Sequence, residues 1–127
     1  MNFEVEEMIH RQIILDLTIR TLERDRNFIS ELKMQRAFEM WFESKIHELH
    51  NELKEVKTRM GKMGAKLQDA KKLDELMTEY TFVVKGNVYK RNYMNIALRN
   101  WTEEEVKRLL GLEYKTVESG QNKKPLQ

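Results

Sequence analysis

Residues 42–70 read FESKIHELHNELKEVKTRMGKMGAKLQDA, and the spacing of their apolar residues decides how the chain is expected to fold. Phe42, Ile46, Leu49, Leu53, Val56, Met60, Met63, Leu67 and Ala70 follow one another in alternating steps of four and three. That is the period of a coiled-coil seam, sustained for about four heptads. Between the seam positions stand Glu, Lys, Gln and Arg, which are good helix formers. The expectation is a mainly all-α chain: a long-helix coiled coil, or a helical hairpin or bundle, with a small C-terminal helical subdomain.

Gly61 and Gly64 interrupt this pattern, each costing about 1 kcal/mol against Ala in a helix interior. Either the helix runs through, since Met60 and Met63 keep the register, or Gly61–Gly64 is a bend that folds Leu67–Tyr80 back on Phe42–Val56. The unbroken register favours the continuous helix.

Upstream, Val5, Met8, Leu15, Ile19 and Leu22 keep helical spacing, and Glu7/Arg11 and Asp16/Arg20 are favourable pairs four apart. Ile13, Ile14 and Leu17 widen the apolar arc, implying burial on more than one side. Phe28, Leu32, Phe38 and Phe42 continue the helical face into an aromatic cluster with Met40 and Trp41. Phe38, Trp41 and Phe42 are the candidate anchors for a partner protein, because large aromatics dominate interface energetics.

The texture changes at Thr81. Thr81–Lys85 is the β-branched and aromatic run of the chain, and Gly86-Asn87 separates it from Val88–Arg91. A short β-hairpin at 81–91 is therefore possible alongside the helices. Residues 92–100 read as a helix. Thr102 and Glu105 have the spacing of a capping box that would start a further helix, ending at Gly111. Residues 105–112 with Lys115-Thr116-Val117 resemble the opening of a helix-turn-helix unit, around a glycine turn flanked by apolar residues. Lys107 stands where that family has a small residue, and little chain remains for a recognition helix. Gly111 is better read as an ordinary helix stop. The expected layout is 1–80 for the long helices, 81–118 for the small subdomain and 119–127 for a disordered tail.

The 127 residues carry 23 Lys and Arg against 21 Asp and Glu, a net charge of +2, with five Gly, one Pro and no Cys. Absent cysteine excludes disulfides, thiol nucleophiles and cysteine-ligated zinc. No stretch approaches the ~18 consecutive apolar residues of a membrane span, and the acidic Phe3–Glu7 opening is unlike a signal peptide. A cytoplasmic protein without a membrane partner is expected. Residues 1–60 hold 10 basic and 12 acidic side chains, residues 61–127 hold 13 and 9. This tilt permits a polyanion partner, with Arg59, Lys62, Lys66, Lys90, Arg91, Arg99, Lys107 and Arg108 as the candidate contacts.

His47-Glu48-Leu49-His50 is one residue short of the zinc-protease spacing, with Asn51 at the ligand position. Glu43, His47 and His50 share a helix face, which solvated surface explains more simply than a metal. No phosphate loop or catalytic triad can be assembled from these spacings, so neither cofactor nor catalytic residue is assigned. The sequence points to a non-enzymatic interaction protein, an adaptor, inhibitor or assembly factor. It would form a homo-oligomer, a dimer for preference, through Phe42–Leu67 and bind a protein partner. The alternative is a dimeric nucleic-acid-binding regulator using its basic C-terminal half.

Overall fold

A computed structural model describes residues 2–115 and the backbone of 117–118 and 121–122. Helix α1 (Phe3–Asp25) is followed by a 3-10 turn (Arg26–Glu31) and helix α2 (Gln35–Lys62). Strands β1 (Ala65–Lys72), β2 (Met77–Val84) and β3 (Asn87–Met94) form an antiparallel sheet in the order β1-β2-β3, and helix α3 (Asn95–Leu109) comes next. Two short strands, β4 (Val117–Glu118) and β5 (Gln121–Asn122), pair with each other. The rest of the expected tail, 119–127, lies outside the described residues. The architecture is α+β, which overturns the mainly all-α coiled coil.

The correction turns on Gly64. Helix α2 ends at Lys62, and Gly64 sits just beyond its cap at φ +70°, a conformation glycine adopts without strain. Its carbonyl accepts a hydrogen bond from the Lys85 N–H at 2.8 Å, tying the helix end to the β2–β3 turn. The chain thus neither continues as a helix nor folds back as one; it leaves as strand β1. Leu67, the last seam position, lies on that strand, and Met63 is the helix cap.

The remaining seam is real but satisfied within the chain. Ile46, Leu49, Leu53, Val56 and Met60 are buried in one core with Val5, Met8, Ile9, Leu15 and Ile19 of α1. Ion pairs Arg11–Glu52 and Arg59–Glu4 fix the antiparallel register of the two helices, seven residues apart on each. Helix α1 is the centre of the molecule. His10 meets Tyr93 of β3 and Trp101 of α3, while Arg11 reaches both α2 and α3. The wide apolar arc of α1 is covered by two helices and the sheet.

In β2, Tyr80, Phe82 and Val84 face the core with period two. The hairpin is longer than 81–91, and its two-residue turn is Lys85-Gly86, not Gly86-Asn87. Both turn residues have positive φ, 49° and 82°, as a type I′ turn requires. Strand β1 carries one extra residue between Leu67 and Asp69, a bulge in its pairing with β2. The expected boundary between 80 and 81 falls inside β2. Helix α3 is continuous through Thr102, whose hydroxyl donates to the Leu98 carbonyl at 2.8 Å instead of capping a new helix.

Candidate functional site: the exposed corner of α2

The stripe that is buried at Ile46 continues toward the start of α2 as Phe42, Trp41, Phe38 and Met34, at helical spacing. Trp41 and Phe42 are half-buried, in edge-to-face contact at 5.3 Å, and pack on the rim of the core. Phe38 is 45% exposed and Met34 70%. The cause lies in α1. Extending the register of the ion pairs sets Trp41 opposite Leu22 and Phe38 opposite Asp25, and beyond Leu22 helix α1 offers Glu23, Arg24 and Asp25. The apolar face of α2 outruns its partner. The 3-10 turn contributes buried Ile29 but leaves Phe28 exposed, and Leu32 just after it is exposed too. Large exposed apolar side chains gathered in this way mark interaction surfaces.

A second constellation, invisible in the sequence, lies where the three helices meet. The Arg11 guanidinium donates to Glu52 at 2.6 Å and, in a two-pronged contact, to both Glu105 oxygens at 2.7 and 2.9 Å. Arg108 closes the network on Glu105 at 2.6 Å. Glu105 is 6% exposed. Burial alone would push its carboxyl up, but hydrogen bonds and charges from Arg11 and Arg108 outweigh that and hold it below the usual carboxylate range. Burial alone would likewise lower Arg11; Glu105 and Glu52 outweigh it and raise its pKa. Beside this network, His10 is 2% exposed, and neither ring nitrogen is hydrogen-bonded among the described residues. Burial, then Arg91 and Arg11, press its pKa down to about 4, so the ring is neutral at pH 7. A neutral, sealed imidazole and mutually satisfied charges have a structural explanation: they join α1 to α3 and β3. Reading Glu105 as a capping residue hid this role, and no signal in the sequence linked it to Arg11.

The eight candidate nucleic-acid contacts are spread over four elements. Five of them face acids: Arg59 with Glu4, Lys90 with Glu79, Arg91 with Glu6, Lys107 with Glu104, and Arg108 with Glu105. Lys62 ends α2, Lys66 is on β1 and Arg99 on α3, so the helical ridge expected from Arg59 through Lys66 is broken at Gly64. After α3, Gly111 adopts φ +76°, and the Lys115 N–H donates to Glu104 at 2.7 Å, folding the chain back where a recognition helix would have to start. Glu43, His47 and His50 are exposed on α2, and among the described residues no group of three His, Cys, Asp or Glu is placed to hold a metal. Nor is any helix among them long and apolar enough to cross a membrane.

Comparison with known proteins places the chain in a family. No solved structure matches it. The uncharacterized protein YhjD of Bacillus subtilis (strain 168) is 28% identical over 103 residues, covering 80% of this chain and 85% of that protein. A family model described as YhjD protein matches residues 1–114, nearly all of the described structure, and the chain belongs to the YhjD family.

Proposed function

We propose that this protein works by binding rather than by catalysis, as an adaptor, inhibitor or assembly factor. Its α2 corner takes an apolar helix of a protein partner, and a second copy of the chain is its first occupant. The observation that carries this reading is the run from Met34 to Phe42, where an apolar stripe leaves the core and stays uncovered. Between Arg24 and Glu43 the corner carries four basic residues (Arg24, Arg26, Lys33, Arg36) and four acidic ones (Asp25, Glu31, Glu39, Glu43). A balanced rim lets two identical corners meet without net repulsion, as a two-fold contact demands.

Sedimentation equilibrium over a concentration series tests it. The wild type should approach the mass of two chains and Phe38→Ser should stay at the mass of one, with the two melting alike at concentrations too low for association. A wild type that remains monomeric throughout would remove the self-association reading. Nucleic acid has weaker support, since five of the eight candidate cations are engaged by acids. Duplex binding that falls steeply with salt would nevertheless restore it.

A further inference from the structure

A cleft of about 910 Å³ opens between the C-terminal half of α1, helix α3 and the end of the sheet where β1 meets β2. Its floor is apolar, formed by Leu17, Tyr80, Leu98 and Val106. Its rim is cationic: Arg20 and Arg24 from α1, Lys72 from β1 and Arg99 from α3, against two acids, Asp25 and Glu103. None of the three arginines is in an ion pair among the described residues, in contrast to Arg11, Arg59, Arg91 and Arg108. Tyr80 adds a second observation. It is 6% exposed, and its hydroxyl has no hydrogen-bond partner among the described residues. Arg20 lines the same cleft as Tyr80, and Arg20 and Asp16 act on that hydroxyl through their charges in opposite directions. Tyr80 lines the cleft, and a hydroxyl with no partner among the described residues can donate to an anion bound there.

The geometry points to a binding site for a single-chain amphiphile with an anionic head, such as a fatty carboxylate. Its head would sit on Arg20, Arg99 and the Tyr80 hydroxyl, and its chain along Leu17, Leu98 and Val106. The size of the cleft is that of small-molecule sites. This site is separate from the α2 corner and does not depend on the corner's occupant.

The test is calorimetric titration of the full chain with dodecanoate below its micelle concentration, alongside dodecyltrimethylammonium. Dodecanoate should bind one per chain and the cationic amphiphile at least tenfold more weakly. Arg20→Gln/Arg99→Gln should weaken dodecanoate at least tenfold, and Tyr80→Phe severalfold; all of these positions but Tyr80 are exposed, so the double variant should melt as the wild type does. Phe38→Ser should leave the affinity unchanged. Absence of saturable binding, equal binding of both amphiphiles, or undiminished binding by the folded double variant would overturn the proposal. So would loss of dodecanoate binding in Phe38→Ser alone, which would move the amphiphile to the corner.

Discussion

Arg11 and Glu105 stand 94 positions apart in the chain and meet through two parallel hydrogen bonds of 2.7 and 2.9 Å between α1 and α3. Glu105 is the buried member, and it holds Arg108 as well. Glu105→Ala would leave two guanidinium groups without their shared acceptor. It should lower stability by about 3 kcal/mol, the size expected when one member of a buried pair is removed. Arg11→Met/Glu105→Leu should lose less than the sum of the single variants, with a coupling of roughly 1–2 kcal/mol. Urea unfolding at pH 7 of Glu105→Ala, Arg11→Met, Glu105→Leu and the double variant measures these changes.

His10 makes stability depend on pH. In the unfolded chain its imidazole titrates near the ordinary 6.5, in the folded chain at about 4. Between those values the unfolded chain holds the extra proton, so stability falls as pH falls. The loss is roughly 3 kcal/mol between pH 7 and pH 4. Glu105 contributes in the same direction but lower down: its folded carboxyl is depressed, so its stabilisation is intact above its ordinary 4.5 and is lost as pH falls through the folded value. In His10→Phe the urea midpoint should change much less between pH 7 and pH 5 than in the wild type.

The two glycines at the end of α2 should respond to Ala with opposite signs. Gly61 is inside the helix, and an added Cβ meets nothing within 4 Å, so Gly61→Ala should stabilise by about 1 kcal/mol. Gly64 is at φ +70°, where a Cβ would come within 3.2 Å of Lys85 Cγ. Gly64→Ala should destabilise by about 1–2 kcal/mol. Thermal melts of the separate variants decide it; a stabilising Gly64→Ala would contradict the turn.

Lys85 carries φ 49° at the first position of the β2–β3 turn, a conformation Asn tolerates better than Lys. Lys85→Asn would create the Asn-Gly pair that such turns prefer. It keeps the backbone N–H that Gly64 accepts from, and should raise stability by about 0.5 kcal/mol. Thermal denaturation is sufficient to measure it.

What the sequence disclosed depended on how local each signal was. The buried stripe of α2 from Ile46 to Met60 and the β-branched run at Thr81 were readable, because helix and strand periods are written in adjacent residues. Strand β1 was not. Ala65–Lys72 contains no β-branched or aromatic residue, and its Ala, Lys, Leu and Gln prefer helix; pairing with β2 overrides that preference. Thr102 and Glu105 looked like a cap because the spacing fits one, yet a partner from the first helix claims the carboxylate. At the candidate corner, Phe38, Trp41 and Phe42 stood out as aromatics. That α1 turns polar opposite them emerged only once the ion pairs had set the register.

The central position of α1 has a consequence during synthesis. Helix α1 is made before α2, the sheet and α3, all of which pack on it, and Glu105 follows Arg11 by 94 residues. At translation rates of about 5–20 residues per second, its greasy sides wait roughly 5–20 s for their last cover. For that interval the nascent chain offers chaperones a sticky hook.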